Sequence, residues 1–136
     1  MALSLIPDKI YTVNTGSTCN TAYLRIGPIE TNNKDNQIQE FFASIYNSKY
    51  DKKKVPLLVT QVTVLSEDYI SFFSPVALAN KSIYVSCYDY ILMVAKKYNE
   101  ELNKFSLMSF EEKANYRFKY SDFAWLQGDI WVSDEV

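Results

Sequence analysis

The amino-acid sequence predicts an α+β fold: a small antiparallel sheet of about four to six strands packed against one main helix at about residues 83–104. Three observations carry that expectation. Up to residue 65, runs of β-branched and aromatic residues alternate with polar ones, which is the pattern of half-buried strands. From Ile83 onward, apolar residues recur at spacings of three and four, which is the pattern of an amphipathic helix. Short polar clusters with Gly, Asn, Asp, Ser or Pro separate these runs and read as turns.

Ile10–Val13 and Thr21–Ile26 read as two strands joined by a turn at Asn14-Thr-Gly-Ser17. Gly27-Pro28 bends or ends the second strand, and Thr31–Asn36 forms a polar loop. Ile38–Tyr46 fits both a helical face and one side of a strand, with a slight lean to strand. Val55–Leu65 is the clearest strand, because Val59, Thr60, Val62, Thr63 and Val64 branch at Cβ and favour a pleated backbone. Asn47–Lys54 then becomes a charged hairpin loop.

Ser66-Glu-Asp68 punctuates the chain, and Pro75 with Ala77–Asn80 reads as a packed connector or a single short turn. Ser82 is placed to cap the main helix, whose apolar stripe is Tyr84, Cys87, Tyr88, Ile91, Ala95, Tyr98 and Leu102. Ser109-Phe-Glu-Glu112 has the spacing of a capping box, in which the Ser and Glu side chains satisfy each other's backbone N–H. Tyr116, Phe118 and Tyr120 alternate with polar residues as in a strand, and residues 125–132 read as a final hairpin or a docked apolar tail.

A chain of 136 residues is sized for one domain, here residues 1–136, and a composition of 48% hydrophobic and 22% charged residues is that of a folded globule rather than a disordered chain. The net charge of −2 supplies no field for a phosphate backbone, so nucleic acid is not an expected partner. Lys49 and Lys52-Lys53-Lys54 read as a solvated loop tip. Two cysteines, Cys19 and Cys87, lack metal-ligand spacing and fit reduced thiols in a cytoplasmic setting. The apolar start, Met1 to Pro7, has no basic n-region and is too short for a signal peptide. No apolar run is long enough to span a membrane. The expected location is a host cytoplasm or a virion.

There is no histidine, which removes the commonest general base, the Ser-His and Cys-His nucleophile pairs and the usual transition-metal ligand. Glycine-rich phosphate cradles and Asp-rich calcium loops do not occur either. The adjacent carboxylates Glu67-Asp68, Glu100-Glu101, Glu111-Glu112 and Asp134-Glu135 do not share a face and read as solvated charge. Asp89, among apolar neighbours, reads as solvent-facing or partner-facing. Cys87 reads as a small buried hydrophobe, and Cys19 has no visible base nearby. The expectation is therefore a protein that is not an enzyme, with no cofactor, metal or small-molecule substrate.

The remaining signal is aromatic. Tyr116, Phe118, Tyr120, Phe123, Trp125 and Trp131 form a dense C-terminal group, and aromatic side chains supply large contact area at small rotamer cost in cores and interfaces alike. These six are the candidate partner-contact residues.

Ala22-Tyr-Leu-Arg-Ile26, the stretch Asn36–Pro56 and Tyr84-Val-Ser-Cys-Tyr-Asp-Tyr-Ile-Leu92 together resemble short structural proteins of phage tail and baseplate modules. In that group a Tyr-x-Arg-Ile strand opens a small β-rich unit, a hairpin and a Pro-containing connection follow, and a tyrosine-rich helix closes it. The resemblance covers about residues 21–98 and implies an assembly role without catalysis. The first functional expectation is accordingly a phage or other virion structural protein acting through a protein partner or a homo-oligomer. The alternative is a small acidic inhibitor or immunity-type protein that blocks a basic enzyme surface.

Overall fold

The computed structural model describes residues 2–13, 15–33, 37–51 and 55–134. Its elements run β1 (Leu3–Leu5), β2 (Tyr11–Thr12), β3 (Thr18–Cys19), β4 (Tyr23–Asn33), β5 (Ile38–Tyr46), β6 (Leu58–Thr63), α1 (Ser66–Phe73), α2 (Ile83–Ser106), α3 (Phe110–Asn115) and β7 (Trp131–Ser133). Short 3-10 helices lie at Lys49–Asp51 and Ser121–Leu126. One antiparallel sheet of five strands has the order β6-β5-β4-β1-β7, and β2 with β3 forms a separate pair. The α+β expectation, one sheet and one long helix, is the architecture observed.

Side-chain alternation fixes which face of the sheet is covered. Along β5, Gln39, Phe41, Ala43 and Ile45 point inward, and Leu24, Ile26 and Val62 continue that face across the neighbouring strands. The helices lie on this side. α2 buries Cys87, Tyr88, Tyr90, Ile91, Val94 and Ala95, a stripe wide enough to meet both the sheet and α1. Its centre is aromatic: Tyr90 packs edge-on against Phe72, Phe73 and Phe123, with ring centroids 5.3, 6.0 and 5.9 Å away.

Two buried tyrosines also complete the backbone hydrogen bonding. β1 begins opposite Leu24, and beyond that pair the Ile26 N–H donates to the Tyr88 hydroxyl at 2.9 Å. The Tyr90 hydroxyl accepts from the Leu65 N–H at 3.1 Å and donates to the Asp68 carboxylate at 3.2 Å, tying the start of α1 to α2. Ser82 caps α2 by accepting from the Tyr84 N–H, and Ser109 and Glu112 form the reciprocal capping box of α3.

The structure departs from the expected elements in several places. Gly27-Pro28 does not end the strand: β4 continues to Asn33 through register shifts between Ile26 and Ile29 and between Ile29 and Thr31, since a bulge lets a strand absorb residues that cannot pair regularly. Thr31–Asn33 are thus strand, and residues 34–36 lie outside the described residues. The N-terminal hairpin pairs Tyr11–Thr12 with Thr18–Cys19, while the Tyr23 strand pairs with β1 and β5 instead. Ile38–Tyr46 is a strand, and the strand expected over Val55–Leu65 covers Leu58–Thr63. Ser66-Glu-Asp68 opens a helix. Tyr116–Tyr120 is not a strand but an extended passage and turn, and Trp131 belongs to a strand that pairs with β1, not to a hairpin. Of the lysine run, residues 52–54 lie outside the described residues.

Candidate functional site

The six aromatic candidates do not form one surface. Tyr120, Phe123 and Trp131 are 6%, 2% and 2% exposed and belong to the core. Trp131 packs on Tyr11 at 5.7 Å and donates its indole N–H to the Leu126 carbonyl at 2.9 Å. Tyr116 and Phe118 are half-buried against the last turns of α2, with rings 5.0 Å apart and Phe118 5.1 Å from Phe105. The Glu101 carboxylate fixes that segment by accepting the Tyr116 hydroxyl and the N–H groups of Lys119 and Tyr120 at 2.9–3.0 Å. These bonds replace the strand ladder that the alternation of residues 116–120 predicts. Trp125 is likewise half-buried, packed against the core beside the sheet from the 3-10 helix Ser121–Leu126.

Several titratable side chains hold the fold together. Asp89 pairs with Lys81, Glu67 with Lys119 at 3.0 Å, and Asp134 accepts the Ala2 N–H and the Tyr23 hydroxyl. Burial pushes the Cys87 thiol from its ordinary 9.0 up to about 12, which makes it a poor nucleophile at neutral pH. Cys19 is half-buried, its Sγ 3.1 Å from the Asn47 side-chain oxygen. Among the described residues no group of three or more Cys, Asp or Glu is placed to hold a metal ion, and no helix is long and apolar enough to cross a membrane.

What the tertiary structure adds is a sheet rim. β6 is the outermost strand, and the Val64 N–H donates to the Gln39 carbonyl at 3.0 Å in the register that pairs Phe41 with Val62 and Ala43 with Thr60. In an antiparallel ladder such pairs recur at every second residue, so Thr60 and Val62 bond to β5. The backbone N–H and C=O groups of Val59, Gln61 and Thr63 therefore point outward along the rim. Among the described residues no hydrogen bond reaches them.

Beside the rim lie two adjoining hollows of about 320 and 260 Å³. One is walled by Tyr11, Leu57, Leu58 and Trp125, the other by Gln61, Val62, Asp122 and Phe123, and Trp125 borders both. The rim itself, Leu58-Val-Thr-Gln-Val-Thr63, carries no charge and no proline. Natural sheets usually blunt an exposed edge with lysine, proline or a bulge, because free ladder groups template pairing with another chain. Val59 is 54% exposed.

Nothing in the composition of residues 58–63 marks them as an edge. Their alternation announces a strand, and only the strand order places it outermost. Compared with protein-family models, curated proteins and solved structures, the chain matches none of them.

Proposed function

We propose that this chain is a non-catalytic assembly protein whose contact surface is the β6 rim with the Trp125 hollows beside it. The observation that carries the reading is the row of unbonded backbone groups at Val59, Gln61 and Thr63, on a strand with no charge to repel a neighbour. Strand addition supplies affinity through main-chain hydrogen bonds, and flanking hollows select the side chains that enter. The resemblance of residues 21–98 to short phage tail and baseplate proteins directs the reading toward a virion. Its Tyr-x-Arg-Ile segment, Tyr23–Ile26, lies at the start of β4, two strands in from the rim.

The test is association with assembled particles. The chain, expressed together with the proteins encoded by the genes beside its own, is expected to co-sediment with the particles they assemble. A chain that stays free of every particle component overturns the reading.

A further inference from the structure

We infer that the β6 rim pairs with the β6 rim of a second copy of this chain, antiparallel and centred on Gln61, joining two five-stranded sheets into one. The inference rests on the rim being the contact surface, and it names the occupant.

The rim is self-complementary in its backbone. A two-fold axis at Gln61 sets Gln61 opposite itself and Val59 opposite Thr63 of the other copy. Every one of these residues has both N–H and C=O turned outward, so all of them fall into hydrogen-bonded pairs at once. Shifting the centre by one residue, to Thr60 or Val62, leaves Thr63 or Val59 facing a residue beyond the other copy's strand. The Gln61 centre is the one antiparallel register that uses the whole rim.

The side chains permit the same register. Directly opposed like charges destabilise a cross-strand pair, and a symmetric contact opposes a residue at its axis to itself. At β6 the residue on the axis is an uncharged glutamine, and the flanking pairs are valine with threonine. Val59, Gln61 and Thr63 lie on the open face of the sheet, away from α1 and α2, and among the described residues the one carboxylate bonded to them, Glu40, accepts the Gln61 amide at 2.7 Å from the neighbouring strand β5 rather than from the rim. The opposite sheet edge is shorter and carries a charge: β7 has three residues, and its ladder with β1 continues to Asp134, whose carboxylate accepts the Ala2 N–H.

The measurement is molecular mass by light scattering or sedimentation, with the purified chain alone. Twice the 15.8 kDa of one chain is expected. Gln61→Pro removes a backbone N–H that the fold does not use, together with an exposed side-chain bond to Glu40, and proline is tolerated on an edge strand, so it is expected to keep the circular dichroism spectrum and give the single-chain mass. The register is read by cysteine cross-linking in a Cys19→Ser background. Facing residues of a hydrogen-bonded pair lie about 5.5 Å apart at Cα, within disulfide reach. Gln61→Cys is therefore expected to give a covalent dimer on oxidation, while Val59→Cys, about 13 Å from its own copy, is not.

A single-chain mass at the highest soluble concentration overturns the inference, as does a dimer that survives Gln61→Pro. Efficient cross-linking by Val59→Cys overturns the Gln61 centre. A monomer that still co-sediments with particle proteins overturns self-pairing alone, and a dimer that binds none of them overturns the assembly reading alone.

Discussion

Gly128 shows how one residue position is fixed by two constraints together. It sits at φ +126°, and a Cβ there would lie 2.7 Å from the Asn99 Oδ1. Gly128→Ala is expected to cost about 1–3 kcal/mol, read from urea unfolding, because L side chains rarely adopt that conformation and Asn99 must also move. Cys87 makes a prediction about pH. In the unfolded chain its thiol ionises near the ordinary 9.0, whereas burial delays ionisation in the folded chain to about 12. Between those values the unfolded state releases the proton first, so stability falls as pH rises through that window and is level with respect to this group below it. Buried Tyr88 and Tyr90, raised by desolvation above their ordinary 10.0, act in the same direction. Urea midpoints across alkaline pH check this, and Cys87→Ala is expected to give the shallower fall. At neutral pH a thiol reagent is expected to modify half-buried Cys19 and spare Cys87 until the protein unfolds.

Among the elements, the passage from α3 to the 3-10 helix depends on one carboxylate. Glu101 takes up two backbone N–H groups and a phenol that no strand is present to satisfy. Glu101→Ala is expected to lower stability by about 1.5–3 kcal/mol, the range for hydrogen bonds to a charged group. Amide exchange at Lys119 and Tyr120 should accelerate with it, while exchange in β5 should change only with global stability. An equally specific side-chain device holds the small β2–β3 sheet to the C-terminal region. Gln127 accepts from the Thr12 N–H at 2.9 Å and donates to the Thr12 carbonyl at 2.6 Å, in the manner of a paired strand residue.

At the scale of the whole molecule, one side of the sheet is built from segments far apart in the chain. β1 lies between β4 and β7, with Leu3 opposite Ser133, so a contact across nearly the full chain length completes the core. Pairings of such long sequence separation form late, because loop-closure entropy is lost before they contribute. Trp131→Ala is expected to destabilise by about 3–5 kcal/mol, the cost of emptying a buried indole site, measured by calorimetric or urea unfolding. Against a total of about 5–15 kcal/mol for a domain, that single change removes a large share of the stability.

Local chemistry was enough to determine the long helix with its Ser82 cap, the capping box of α3 and the strand within residues 58–63. Each is a pattern of neighbours a few residues apart, and the forces that make it act at that range. Residues 38–46, by contrast, fitted helix and strand alike until their pairing with β4 and β6 made them a strand. Composition alone also showed that a site built on histidine chemistry has no residues to use. The aromatic group near the C-terminus was legible as a group but not in its division. Tyr120, Phe123 and Trp131 lie in the core because α2 and β1 reach them from far along the chain. Only the tertiary structure decided that Leu3–Leu5 is an interior strand, between β4 and β7, and that β6 lies at a sheet edge. Strand order depends on which distant segments come to lie side by side, so the rim at Val59, Gln61 and Thr63 exists only once the sheet is assembled.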